Sequence, residues 1–260
     1  MVWTVTEVHT HDLAFDGAIM TKRYTSWSRG EHVREWEMLR HIHRYAPDLV
    51  PRPISEDLDG DPPTVTMSVV GGEPLGGALT GAQLEALVAA IAQLWRVPVD
   101  GLDQTLRSSL PFARRLTDGP RPAGGIEAAA YDAAVSWWDG PDPALLEAVP
   151  SETVIGHGDP NLANYMWDGR VVRIVDFEDA GVSDPATELA IMVEHLSTRA
   201  IDADSLIDCF DVDYIRVRPA RRAWAMFWMR LLLPGGPSAK RNPPDAVRVQ
   251  AARLLELLAA

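Results

Sequence analysis

The stretch IGHGDPNLANYMWDGRVVRIVDFEDAGVSDPATELA, residues 155–190, decides the fold. Two short runs of β-forming residues, 165–167 and 171–175, flank Asp168-Gly169. Asp-Gly supplies the positive φ angles of a two-residue type I′ turn, so the segment reads as a β-hairpin. Asp159 and Asn164 stand before its first strand and Asp176 at the end of its second, so closing the hairpin brings the three together. Two oxygen donors at a strand mouth suit a hard cation such as Mg2+, which prefers carboxylate and amide oxygens to nitrogen or sulfur. One carboxylate is then left to face an acceptor. Asp184-Pro185 opens a helix, with Asp184 as N-cap and proline at the first helical position.

Outward from this centre, the N-terminal side reads as a small sheet. Residues 13–15 and 18–24 around Asp16-Gly17 form a second Asp-Gly hairpin, and a helix follows over 28–45 with Val33, Trp36, Leu39 and Ile42 on one side. Pro51, Pro53 and the acidic run 56–61 break the pattern before the β-branched strand 64–70, which Gly71-Gly72 ends. From there to the central hairpin the chain is helical apart from a short strand at 153–156. Helix 80–97 is the clearest, because Thr80 and Gln83 form a capping box and Leu84, Leu87, Val88, Ile91, Leu94 and Trp95 keep helical spacing. Further helices are expected over 102–116, 125–138, 211–233 and 244–258.

The fold class is therefore α+β with two lobes. Residues 1–70 make a small antiparallel sheet plus helix, and residues 71–260 a larger, mostly helical lobe that carries the hairpin. The 260 residues, 47% hydrophobic, suffice for a sizeable core. The net charge of −13 offers no basic face for a nucleic-acid backbone, so nucleic acid is excluded as main partner. No basic leader and no apolar run of about 20 residues is present, so no membrane anchor is expected. Cys209, the one cysteine, is expected as a buried thiol in a cytoplasmic protein.

The central segment resembles the aminoglycoside phosphotransferase and choline kinase superfamily, relatives of protein kinases. The pattern is H-G-D, four residues, N, then D-[FWI]-[ED]: here His157-Gly158-Asp159, Asn164 and Asp176-Phe177-Glu178. Ala180-Gly181, Asp184-Pro185 and Glu188-Leu189-Ala190 look like the family's continuation. The resemblance implies a protein-kinase-like fold and a Mg2+-dependent kinase that moves the γ-phosphate of ATP or GTP onto a hydroxyl. It implies Asp159 as the catalytic aspartate, Asn164 and Asp176 as metal ligands, and His157 and Asp184 as structural braces of the loop. In the first lobe it implies Lys22 and Glu35 as the pair that anchors the phosphates, with Arg23 on the opposite face of the strand, and Met67, Ser68 and Val70 as the strand and hinge beside the base. Val8-His9-Thr10-His11-Asp12 stands where a glycine-rich phosphate loop would be, and contains no glycine.

Asp184 follows Asp176 too soon to leave room for a peptide-binding activation segment, so the acceptor is a small molecule. Glu178, Asp179 and Glu194, in an acid-rich segment, are the candidate contacts for a cationic, antibiotic-like acceptor, with His195 a weaker one. The resembled family includes resistance enzymes for aminoglycosides and other antibiotics as well as choline, homoserine and sugar kinases. A metabolite kinase is thus the alternative, and a binding pseudokinase without turnover a third reading. Trp137, Trp138, Trp224 and Trp228 read either as core or as an aromatic wall for a planar acceptor.

Overall fold

The computed structural model describes residues 2–4, 11–103, 106 and 108–260. They fall into two compact units, Met1–Thr105 with Val154–Val182, and Leu106–Thr153 with Ser183–Ala260. The units cut the chain elsewhere than at Gly71, because the first long helix of the C-terminal region packs with the central hairpin.

The first unit opens with a five-stranded antiparallel sheet built from β1 (Val2–Thr4), β2 (Asp12–Asp16), β3 (Ile19–Arg23), β4 (Pro53–Asp57) and β5 (Thr64–Ser68), in the order β1-β2-β3-β5-β4. The hairpin register pairs Asp16 with Ile19, so its loop is Gly17-Ala18, one residue later than expected. Gly17 has φ 59° and Ala18 does not share the positive φ, which fits the type II′ pattern rather than type I′. The stretch read as a break is strand β4. It lies at the sheet edge with Pro53 first, the position where a missing N–H does no harm, and carries a register irregularity between Pro53 and Ser55.

Helix α1 (Glu31–Tyr45) buries Glu31, His32, Glu35, Met38, Leu39 and Ile42, so its inner face is rotated from the expected one and Val33 and Trp36 are only half-buried. That rotation turns Glu35 inward. Helix α2 (Gly81–Trp95) has the predicted capping box, with the Thr80 side chain and the Gln83 backbone and side chain bonded reciprocally. Its Leu87, Ile91 and Leu94 are buried, each contributing about 1.5–3 kcal/mol by leaving water.

Strand β6 (Glu73–Pro74) pairs with β8 (Tyr165–Trp167), which pairs with β9 (Val172–Ile174), while β7 (Val154–Gly156) and β9 pack against α2. The central hairpin has a four-residue loop instead of the expected two, since Trp167 pairs with Val172. Asp168 holds it, its Oδ1 accepting from the N–H groups of Arg170 and Val171 at 2.9 Å each. Strand β10 (Gly181–Ser183) leads from one unit to the other.

The second unit is helical: α3 (Leu110–Thr117), α4 (Gly125–Trp137), α5 (Asp142–Glu147), α6 (Pro185–Glu194), α7 (Ala203–Ile207), α8 (Tyr214–Leu232) and α9 (Ala246–Ala259). Helix α3 is shorter than the expected 102–116, of which residues 104, 105 and 107 lie outside the described ones. Trp137 and Trp224 are buried in this unit's core with Trp138 packed against it, which settles these three as packing residues. Cys209 is exposed, not buried. No described helix is long and apolar enough to cross a membrane.

Candidate active site

The site is assembled within the first unit. Alternation along β3 sends Lys22 inward and Arg23 to the other face, where Arg23 pairs with Asp12. Lys22 Nζ donates to Glu35 Oε2 at 2.7 Å, Asp176 Oδ1 at 2.5 Å and Glu178 Oε2 at 2.8 Å. Tyr24, two residues on and therefore on the same face of the strand, donates its O–H to the same Glu35 oxygen. Burial would lower the Lys22 pKa, but Glu35 and Asp176 outweigh it and hold the ammonium well above its usual range. Oxygens of Glu35, Asp176 and Glu178 all lie within 4.8 Å of one another, a spacing that could cage a metal. The Lys22 ammonium bonds to all three and offsets part of their negative charge.

Asp176 is the one non-glycine residue of positive φ, 68°, among those described. A side chain bearing Cβ is strained in that region and stays there only when its surroundings fix it. Both backbone polar groups of the preceding residue are fixed: Val175 N–H donates to the Asn164 carbonyl at 2.9 Å, and the Val175 carbonyl accepts from His157 Nε2 at 2.8 Å. His157 Nδ1 in turn accepts the Asp159 N–H at 3.4 Å, and its ring packs 5.0 Å from that of Phe177. His157 thus ties the Asp159 loop to the end of β9, with both ring nitrogens engaged.

Asn164 closes a 3-10 turn, Leu162–Asn164, that Asn161 caps through the Ala163 N–H. The Asn164 Nδ2 donates to the Asp159 carbonyl at 3.0 Å, which leaves Oδ1 as the amide atom able to meet a cation. Asp159 itself is half-buried. Burial raises its pKa, His157 opposes this, and the carboxylates of Asp176, Asp179 and Glu178 raise it further. For Glu178, burial would raise the pKa, yet a 2.7 Å hydrogen bond from His11 and the Lys22 charge pull it down to about 2. The Thr25 N–H occupies His11 Nδ1, so Nε2 carries the proton donated to Glu178.

Lys22, Glu35, Asp159, Asn164, Asp176, Glu178 and Asp179 are gathered in this unit; Asp184 and Glu194 belong to the other. The acids expected to meet a cationic acceptor are already engaged. Glu178 holds Lys22 and His11, and Asp179 pairs with Arg29 at 3.2 Å. Glu194 is 0% exposed beneath three arginines, which leaves no oxygen for the acceptor contact expected of it. Asp184 is the buried N-cap of α6, accepting from the Thr187 N–H and O–H, and pairs with Arg216 at 3.1 Å.

Met67 is buried in β5, and the N–H groups of Ser68 and Val69 already donate to the carbonyls of Arg52 and Ala18. Donors for a nucleotide base on this segment therefore begin at Val70, which is half-buried. Sequence reasoning did not assign roles to His11, Tyr24 and Arg34, the last donating to the Glu178 carbonyl. The i, i+2 relation to Lys22 could have found Tyr24; nothing local marks the other two. Val8, His9 and Thr10 of the glycine-free segment lie outside the described residues.

The chain matches the family described as phosphotransferase enzyme family (APH) over residues 7–227. No curated protein matches it in sequence. Among solved structures, it is similar to a choline/ethanolamine kinase family protein from Mesorhizobium loti at 15% identity and TM-score 0.68, covering 100% of this chain and 87% of that one. The choline kinase LicA from Streptococcus pneumoniae matches at 10% identity and TM-score 0.63, covering 98% and 92%. An aminoglycoside phosphotransferase from Alicyclobacillus acidocaldarius matches at 18% identity and TM-score 0.62, covering 100% and 90%. These identities show a shared fold, an N-terminal antiparallel sheet followed by a helical C-terminal region.

Proposed function

The chain belongs to the phosphotransferase enzyme family, and from that premise we propose that it transfers the γ-phosphate of ATP or GTP to a hydroxyl of a small molecule. The observation that carries this reading is the convergence of one ammonium, Lys22, with the carboxylate two residues beyond β9, Asp176, beside a loop presenting Asp159 and Asn164. In the proposed division of labour, residues 1–70 hold the nucleotide and residues 71–260 supply the catalytic groups and the acceptor site. Lys22, held by Glu35 and Tyr24, faces the donor's phosphates. The strand and hinge around Met67, Ser68 and Val70 lie beside the base.

The donor set fits Mg2+. Asn164 Oδ1 is left free by the orientation of its amide, and the Asp176 side chain is partly exposed with Oδ2 outside the Lys22 contact; both are hard oxygens. Asn164 and Asp176 would hold the ion, which when bound neutralises phosphate charge. The chain's own contribution is positional. Asp159 accepts a hydrogen bond from the acceptor hydroxyl and aims its oxygen in line, the main demand of a loose phosphoryl-transfer transition state. His157 keeps that loop in register with Asp176, and Asp184 acts as a brace through the α6 cap.

For the acceptor, the names of the solved relatives suggest an aminoglycoside-like antibiotic, which would make the activity a resistance function, or a choline-type metabolite; the sequence resemblance adds homoserine- and sugar-type metabolites to the alternatives. One observation favours a metabolite over a polycationic antibiotic: Glu178, Asp179 and Glu194 are each engaged by internal cations, so they are not free to pair several ammonium groups of one acceptor. The test is nucleoside-diphosphate release with Mg2+ and ATP or GTP against a panel of antibiotics, choline and sugars. Asp159→Asn is expected to lose about 10²-fold to 10⁴-fold in turnover with nucleotide affinity little changed. Near-normal turnover in that variant refutes the role of Asp159, and nucleotide binding without turnover on any acceptor supports the pseudokinase reading instead.

A further inference from the structure

Glu194, the last residue of α6, is fully buried, and its carboxylate accepts from three arginines, one in the turn that follows α6 and one each on α8 and α9. Arg199 donates at 3.2 Å, Arg221 on α8 at 2.9 Å, and Arg253 on α9 through two bonds at 2.9 and 3.2 Å. One bidentate guanidinium is enough to neutralise one carboxylate. Three exceed it by two charges, of which Asp204, 84% exposed, offsets one through its direct 3.2 Å pair with Arg221. Burial and the neighbouring Arg253 and Arg221 hold Arg199 below the usual guanidinium range even though Glu194 opposes that shift.

The guanidinium groups are also fixed in place. Arg199 Nη2 donates to Gln250 Oε1 at 2.6 Å, and buried Gln250 is anchored by its own 2.9 Å bond to the Ala225 carbonyl. Each guanidinium carries five N–H groups, and the hydrogen bonds these three make leave roughly half of them without a protein acceptor among the described residues. They line a cavity of about 950 Å³ in the second unit, and Arg248, exposed and without an ion pair among the described residues, also lines it. Of the acids there, Asp202 is engaged in capping α7, while, against burial, Glu194 with the exposed Glu256 and Asp204 holds Arg253 above the usual guanidinium range, so the open N–H groups rather than a net positive charge mark the site. Pre-ordered, partly desolvated guanidinium donors in excess of their acceptors are the chemistry that receives a carboxylate or a phosphate.

We propose that this cavity binds a small molecule through an oxyanion, a carboxylate or a phosphate ester, against the open faces of Arg199 and Arg253, with Arg248 as a further cation. The proposal is independent of the phosphoryl-transfer reading, since none of these residues belongs to the unit that carries Lys22, Asp159 and Asp176. The test is calorimetric titration of the full chain at low ionic strength with inorganic phosphate and, separately, with citrate. The stronger of the two identifies the oxyanion preferred. Arg199→Gln is expected to weaken binding at least about tenfold, as losing a charge-assisted pair does, and Arg248→Glu by roughly threefold to tenfold through charge reversal. Arg248 is exposed and has no ion pair among the described residues, so its variant keeps the fold and remains decisive if Arg199→Gln is unstable; melting temperatures report which applies. Absence of saturable binding of both anions up to about 10 mM, or binding undiminished in Arg248→Glu, overturns the proposal and leaves the cluster as a staple between helices.

Discussion

Replacing Lys22 by methionine keeps the length of the side chain and removes its charge, leaving three carboxylates with no cation among them. Glu35 is buried, its side chain 2% exposed, Glu178 is half-buried with its side chain 13% exposed, and Asp176 at 33% is better hydrated. Their oxygens lie no more than 4.8 Å apart, so any two charged groups repel by about 3.5 kcal/mol at an effective dielectric near 20. Removing one partner of a buried ion pair costs about 3–5 kcal/mol, and that is the expected loss at pH 7.5. The loss depends on pH. In the variant at least one carboxylate has its folded-state pKa raised above the unfolded value of about 4.3, so the folded state binds more protons and regains stability as pH falls. Between pH 7.5 and 5.5 the deficit relative to wild type should shrink by about 2–3 kcal/mol, at about 1.4 kcal/mol per pH unit. Urea denaturation of both proteins across that range measures it. A deficit below about 1 kcal/mol at pH 7.5, or one that does not shrink on acidification, refutes the idea that the Lys22 ammonium offsets the repulsion within this cluster.

Wild type is expected to lose stability in acid through Glu178. Its folded pKa of about 2 lies below the ordinary value, so its contribution, about 3 kcal/mol, is complete above the unfolded pKa and disappears as pH falls toward 2. Glu178→Gln should flatten that limb of the pH–stability curve. Asn164→Ala is expected to raise the Mg2+ concentration needed for half-maximal turnover on the order of 10-fold to 100-fold, read from a magnesium titration; an unchanged requirement removes Asn164 from the metal site. Thr80→Ala breaks the capping box of α2 and should cost about 1 kcal/mol in a urea melt without altering turnover.

What the sequence determined by itself is what depends on neighbours a few residues apart. The Thr80 box, the Asp184 cap followed by Pro185, the inward and outward alternation of Lys22 and Arg23, and the H-G-D, N, D-F-E spacing are all of this kind, and each is present as read. Tertiary pairing decided the rest. Pro53 stands in a strand because β5 offers an edge at which a missing N–H is harmless. Glu35 rather than Trp36 faces inward because Lys22 and Tyr24 wait there on another element. Glu178 was legible as an acid beside a metal ligand, but its partner His11 is 167 residues away. Glu194 reads in sequence as a candidate contact for a cationic ligand, but nearby Arg199 and the more distant Arg221 and Arg253 enclose it. A carboxylate looks the same in sequence whether it meets water, a ligand or a guanidinium, because its partner is set by which remote elements pack beside it, and no local periodicity encodes that.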